Sequence, residues 1–274
     1  MQRGEYPMLI EVDGVSKSYQ TGSGQEVEAL HHLSFHVKPG EFVCLLGPSG
    51  CGKSTLLKLI AGIERADSGT IACGGVQVSG PSTDRGFIFQ DYALFPWLTV
   101  RQNIAFGLKL KHLSRARLKE TVESYLELMG LSGSSSLYPN QLSGGMRQRV
   151  ALARALCLKP KVLLMDEPFA ALDALLRQKL QDELVRLWQA DRITFLLVTH
   201  DVEEALYLAD RIVVMSPHAR GNVTTLPVKL PRPRRRASLE FVQLRQHVMH
   251  LLESGRAELG RSADAEQPHA LALP

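Results

Sequence analysis

The segment Gly47, Pro48, Ser49, Gly50, Cys51, Gly52, Lys53, Ser54 carries glycines, a lysine and a hydroxyl at the spacing G-x-x-x-x-G-K-[ST]. That spacing suits a polyphosphate. Glycines let backbone N–H groups wrap around phosphate oxygens, and a helix starting at the loop adds partial positive charge. The Lys53 ammonium can pair with β- and γ-phosphates, and the Ser54 hydroxyl can coordinate Mg²⁺. A glycine-rich turn that binds nothing is the plainer alternative. The apolar run Phe42–Leu46 before the loop and the helical run Thr55–Ile63 after it argue against that alternative. Cys51 reads as a small inert filler rather than a redox switch.

Other chemistry-bearing residues sit at the ends of apolar runs. Val162–Met165 is followed by Asp166 and Glu167. A buried strand has no structural need for two carboxylates at its end, but a phosphate site does. Asp166 can hold Mg²⁺, directly or through water, and Glu167 can activate the attacking water. His200 ends the run Phe195–Val198 plus Thr199 and reads as a sensor of the γ-phosphate. Ser143, Gly144 and Gly145 open a helical run that reaches Leu156. A serine N-cap with free backbone N–H groups is a second anion-binding helix start. One nucleotide does not need both devices from one chain. A head-to-tail dimer, each Ser143 region closing on the nucleotide held by the partner copy's phosphate loop, uses both; an ordinary capped helix is the plainer alternative.

These groups need a scaffold. The runs Phe42–Leu46, Val162–Met165, Phe195–Val198 and Ile212–Met215 read as buried strands that alternate with helical patterns, which predicts an α/β core with a parallel sheet. Shorter segments near the N-terminus (Leu9–Val12, Leu33–Val37, Thr70–Val78) predict antiparallel strands, Leu33–Val37 alternating with period two. Ser114 caps a predicted helix bearing Leu118, Val122, Tyr125, Leu126 and Met129, with Gly130 as its stop. Ser238 caps another, bearing Phe241, Leu244, Val248, Leu251 and Leu252 and ending at Gly255. The expected organisation is a discontinuous core (8–90 and 158–216), a helical insertion (91–157), a connector with a helix (217–255) and a loose tail (256–274). With 274 residues, 45% hydrophobic and 22% charged, the chain can bury a sizeable core. No apolar run approaches the ~20 residues of a membrane span, and no secretory signal is read. Four cysteines without C-x-x-C spacing fit reduced thiols better than a disulfide frame or a zinc site. A net charge of +4 does not by itself indicate a nucleic-acid partner.

With the segment 142–146 (Leu-Ser-Gly-Gly-Met), the chain resembles the ATP-binding cassette family over about residues 8–216. Further family motifs occur in order: the phosphate loop 47–54, a glutamine loop at Gln90, the carboxylate strand 162–167, an Ala-Leu-Asp loop at 171–173 and His200. The resemblance implies a P-loop NTPase fold of cassette type, with a small N-terminal antiparallel β-subdomain and a helical insertion. It also implies ATP and Mg²⁺ as ligands. Tyr19 matches the aromatic that stacks on adenine. Gln90 joins Ser54 and Asp166 at the metal and Glu167 and His200 in hydrolysis. Thr55, Asp173 and Ser143–Gly145 join the loop residues in nucleotide binding. Met146 departs from the commoner glutamine.

Elimination narrows the branch. Only 51 residues separate Gln90 from Leu142, too few for the coiled coils of DNA-repair members. The chain has one cassette, not the two of translation factors, and no fused membrane helices. The 74 residues after His200 leave no room for the regulatory β-domain of sugar importers. A stand-alone importer subunit remains, with a soluble assembly ATPase of iron–sulfur type as its rival. Tyr92, Phe95 and Trp97 at the start of the insertion suggest a groove for a partner helix. Together with 168–173 and Leu230-Pro231-Arg232-Pro233, this segment resembles the nitrate/sulfonate/taurine branch. Its implied partners are membrane-spanning permease subunits, a second ATPase subunit and, through the complex, a substrate-binding protein, at the cytoplasmic face of the inner membrane. The cluster Arg232–Arg236 reads as a solvated charged connector rather than a lipid or RNA site, since no aromatics interleave it.

Overall fold

The computed structural model describes residues 8–264 apart from 23, 112, 171, 192 and 216–222, with 254–264 described as helix backbone only. In chain order the first elements are β1 (Ile10–Gln20), β2 (Glu26–Val37), β3 (Phe42–Leu46), α1 (Lys53–Ala61), β4 (Ser68–Cys73), β5 (Val76–Gln77) and β6 (Arg85–Ile88). Three helices come next: α2 (Val100–Leu108), α3 (Arg115–Leu128) and α4 (Gly144–Leu156). Then come β7 (Val162–Asp166), α5 (Ala174–Asp191), β8 (Thr194–Thr199), α6 (Val202–Leu208), β9 (Arg211–Val214), β10 (Thr224–Pro227) and α7 (Leu239–Asp264).

The strands form two sheets. One is antiparallel, in the order β2-β1-β4-β5; the other runs β10-β9-β3-β8-β7-β6 and is parallel except for β10. Every residue of β3, β7 and β8 is buried. That explains their unbroken apolar sequences, because a parallel strand is covered on both faces. Alternation then sorts side chains into two cores. Phe42, Cys44 and Leu46 face a core shared with α2–α7, while Val43 and Leu45 face one shared with α1 and the antiparallel sheet. On β2, Leu33, Phe35 and Val37 are buried and Ser34 and His36 exposed, as the period-two pattern predicts.

Helix boundaries obey local chemistry. The Ser114 hydroxyl accepts the Arg117 N–H, and Gly130 takes φ 63° beyond the end of α3. Thr99 and Gln102 cap α2 reciprocally. The strands β6 and β10 escape the sequence pattern because they are short edge strands with two polar or glycine residues each (Arg85 and Gly86; Thr224 and Thr225).

Two expectations are corrected. The last helix does not stop at Gly255 but runs to Asp264. A glycine inside a helix costs about 1 kcal/mol and does not by itself end one; residues 265–274 of the expected tail lie outside the described residues. The arginine cluster is not a solvated connector. Arg234 is 8% exposed, and its guanidinium donates to the carbonyls of Leu206, Tyr207 and Ala209 at the C-terminal end of α6 and to those of Val228 and Leu230. A cation there meets both unpaired carbonyls and the negative end of the helix dipole. Arg232 lies over the Trp188 ring (4.7 Å) and pairs with Asp210 at 3.1 Å.

Candidate functional site

Register brings the chemistry together. Leu46 of β3 pairs with Thr199 of β8, and Val198 of β8 pairs with Asp166 of β7. The C-terminal ends of three neighbouring parallel strands are therefore level. The loop from Gly47, Glu167 and His200 leave those ends side by side and converge. Open α/β sheets place ligands at this edge.

The loop 47–52 leads directly into α1. Gly52 is the N-cap, at φ 89°, and a Cβ there would lie 2.3 Å from the Ala29 carbonyl oxygen. Only glycine fits that combination. A Cβ on Gly47 would lie 2.4 Å from the Met215 oxygen and 2.8 Å from Cys51 Sγ. Lys53 is 4% exposed, and its Nζ donates to the carbonyls of Gly47 (2.9 Å) and Pro48 (2.7 Å). The cation is thus held inside the curl of the loop without a carboxylate partner in these contacts, poised for an anion. Burial raises the Cys51 thiol, which fits a filler rather than a reactive thiolate.

The Ser54 hydroxyl donates to Asp166 Oδ1 at 2.7 Å. Burial raises the Asp166 carboxyl above its ordinary range, with Ser54 opposing the rise and neighbouring Glu167 adding to it. A hydroxyl and one buried carboxylate are hard oxygen donors, the set Mg²⁺ takes together with phosphates. Among the described residues no cluster of three or more His, Cys, Asp or Glu side chains could hold a metal by itself.

Glu167 adopts φ 43°, a left-handed conformation uncommon outside glycine. Its Oε1 lies 3.3 Å from His200 Nδ1. Glu167 borders two clefts. The larger, about 280 Å³, is lined by Tyr19, Ala29, Ser49, Gly50, Gly52, Lys53, Ser54 and Thr55. The smaller, about 60 Å³, lies toward His200, Thr199 and Glu204. Tyr19 rims the larger cleft, 39% exposed, with its hydroxyl bonded to Glu64 and Lys17 Nζ 5.5 Å from its ring centroid. Burial and the Glu64 contact raise its phenol.

Some expected residues line neither cleft. Gln90 is exposed, two residues past β6. Ser143, Gly144 and Gly145 begin α4; the Ser143 hydroxyl accepts the Met146 N–H at 3.3 Å. A Cβ on Gly145 would lie 2.8 Å from Leu176 Cδ2, so that glycine also lets α4 close on α5. Asp173 accepts the Leu176 N–H at 2.9 Å and caps α5. Conversely, sequence reasoning missed Ala29, a small strand residue without any signal, and Glu204, hidden in what looks like a helix-capping pattern.

The aromatic segment divides. Tyr92 is not on a groove rim: it is 4% exposed, its hydroxyl facing the Pro168 carbonyl at 3.4 Å. Trp97 is 70% exposed, with Phe95 and Phe106 beside it (ring centroids 5.7 and 4.4 Å from Phe95). Buried Asn103 fixes this loop through the Phe95 N–H and the Leu98 carbonyl. Among the described residues no helix is long and apolar enough to cross a membrane.

The sequence profile of the ABC transporter family matches residues 30–170. The chain is 45% identical over 248 residues to the aliphatic sulfonates import ATP-binding protein SsuB of Bacillus cereus, covering 90% of this chain and 97% of that protein. It is 47% identical over 224 residues to the nitrate import ATP-binding protein NrtD of Synechocystis, covering 82% and 84%. Among solved structures it is similar to the dimeric post-hydrolysis state of the ATP-binding cassette MJ0796 bound to ADP and Pi, with TM-score 0.71, 31% identity, and coverage of 81% of this chain and 100% of that one.

Proposed function

Because the chain belongs to the ABC transporter family, we propose that it is the ATP-hydrolysing subunit that energises a membrane importer of a small oxyanion. The observation that carries the hydrolytic assignment is the position of Glu167, whose residue borders the Lys53 cleft and whose carboxylate lies 3.3 Å from His200. ATP lies along the larger cleft with adenine toward Tyr19 and phosphates in the loop from Gly47 to Thr55. Lys53 exchanges its loop carbonyls for β- and γ-phosphate oxygens. Ser54 and Asp166, with Gln90, are the residues to hold Mg²⁺, which when bound neutralises phosphate charge. Glu167 takes the proton of the attacking water, and His200 orients toward the γ-phosphate and holds the Glu167 carboxylate in place.

Ser143, Gly144, Gly145 and Asp173 serve a second copy. They lie outside this chain's own nucleotide cleft, and Ser143 at the start of α4 is exposed, so two chains sandwiching two nucleotides head to tail use both devices. The similar solved cassette, dimeric and bound to ADP and Pi, supports a two-copy assembly. The core comprises 8–90 and 158–216, the helical insertion 91–157 carries Ser143, and the described residues of 217–255 form the C-terminal arm and the start of α7.

Exposed Trp97 with Phe95 and Phe106 forms an apolar patch fit to receive a helix of a permease subunit. This favours an importer subunit at the cytoplasmic membrane face over a free assembly ATPase. Relatives named for aliphatic sulfonates and for nitrate support a small oxyanion as cargo, aliphatic sulfonate or taurine first, delivered by a substrate-binding protein. Two experiments test this. Glu167→Gln is expected to keep ATP affinity, lower turnover at least ~10²-fold and accumulate an ATP-bound dimer on gel filtration; a monomer with unchanged turnover refutes the assignment. Reconstituted with its permease and binding protein, the subunit is expected to drive uptake of sulfonates, taurine or nitrate; uptake of only neutral or cationic solutes removes the oxyanion.

A further inference from the structure

Glu204 sits four residues past His200 and is 6% exposed, a carboxylate in a protein interior with no direct ion pair among the described residues. Its surroundings are specific. Asp201 is the N-cap of α6 and accepts the N–H groups of Glu203 and Glu204. In a reciprocal cap, Glu204 would reach back to the Asp201 N–H. Here that N–H goes instead to the Thr199 hydroxyl oxygen, at 3.1 Å. The same hydroxyl donates its proton to Glu204 Oε2. Glu204 Oε1 accepts from Gln181 Nε2 of α5 at 3.0 Å, and Gln181 Oε1 accepts from Arg236 Nη2 of the C-terminal arm at 2.6 Å. Arg236 lies on the Tyr207 ring, 3.6 Å from its centroid.

The chain of contacts brackets His200. That residue lies between Thr199 and Asp201, its side chain is 57% exposed, and its ion-pair contact is Glu167. With more than half of its side chain exposed, the imidazole is aimed by the turn that carries it, and the Thr199 hydroxyl closes that turn. Resting on the assignment of His200 and Glu167 to hydrolysis, we propose that Glu204 is a positioning residue for the reaction, fixing through Thr199 the turn that presents His200, and that Arg236 acting through Gln181 ties the C-terminal arm to the same carboxylate. The seating of the arm thereby bears on turnover rather than on nucleotide affinity, because none of these groups lines the larger cleft.

The test uses the full chain and steady-state ATPase assays with fluorescent-ATP binding. Glu204→Gln, nearly isosteric, is expected to lower kcat about 10-fold with KM and ATP affinity within about 2-fold of wild type, since small displacements of a catalytic group slow chemistry without loosening substrate. Arg236→Ala is expected to lower kcat several-fold, and Arg236→Lys, which keeps a donor to Gln181, to recover at least half. Unchanged kcat in Glu204→Gln and Arg236→Ala, alongside a turnover defect in His200→Ala, overturns the positioning role alone. Normal turnover in His200→Ala overturns it together with the hydrolytic assignment. A loss in Arg236→Ala that Arg236→Lys does not restore, with KM rising in step, also overturns it.

Discussion

Glu204 makes a prediction about stability that can be separated from catalysis. Burial pushes its carboxyl from an ordinary 4.5 to about 7, against the opposing hydrogen bonds from Thr199 and Gln181 and the charge of Arg177, with Asp201 adding to the rise. A raised folded-state value means the native protein binds this proton more tightly than the unfolded chain. Stability from this group is therefore present below about 4.5 and is lost as pH rises to about 7. At about 1.4 kcal/mol per pH unit the whole loss is about 3 kcal/mol, and integrating between pH 5.5 and pH 8 leaves about 2 kcal/mol. Glu204→Gln has no proton to lose. Urea unfolding of wild type and variant at the two pH values is expected to show the variant gaining about 2 kcal/mol relative to wild type at pH 8 over its standing at pH 5.5. Curves that move in parallel between the two pH values refute the buried, proton-linked carboxylate, whatever the activities are.

Three further outcomes are expected. Arg234→Ala strands the buried carbonyls of Leu206, Ala209 and Val228; at ~1–3 kcal/mol for each unpaired group the melting temperature is expected to fall by about 10 °C, Arg234→Lys recovering part, and a change under 2 °C contradicts the clamp. Ser143→Arg is expected to keep ATP affinity of the isolated chain and abolish dimer-dependent hydrolysis; weakened affinity in the monomer places Ser143 in the chain's own site instead. Phe95→Asp with Trp97→Asp is expected to lose co-purification with the permease, whose retention would remove this patch as the docking surface.

How far the sequence foretold the molecule depended on whether a signal was local. The strand Phe42–Leu46 is read to the residue because both faces are buried and the run is therefore unbroken. The phosphate loop is legible because its glycines answer backbone demands that few other arrangements make, as the close approach of Gly52 to Ala29 shows. Glu204 was not legible. Asp201 and Glu204 have the spacing of a helix cap, and nothing local reveals that the Thr199 hydroxyl displaces the glutamate from that duty. The arginine cluster misleads by composition. Arg232, Arg234 and Arg236 turn inward while Pro231, Pro233 and Arg235 are exposed, an alternation of two, but its partners are helix-end carbonyls that no sequence pattern marks. Tyr92 and Trp97 are alike in type, and burial separates them.

The left-handed backbone at Glu167 sets the demands of folding against those of chemistry. Glycine adopts that conformation without steric cost, whereas a residue with a Cβ is strained there by about 1–3 kcal/mol. Random variation at this codon, screened for thermal resistance alone, will therefore enrich glycine and asparagine and discard the carboxylate beside His200. On the proposed assignment of Glu167 to hydrolysis, its preservation in any lineage of this protein is a record of selection for turnover, and its replacement by glycine in a stable descendant marks a chain that has kept its architecture after losing its work.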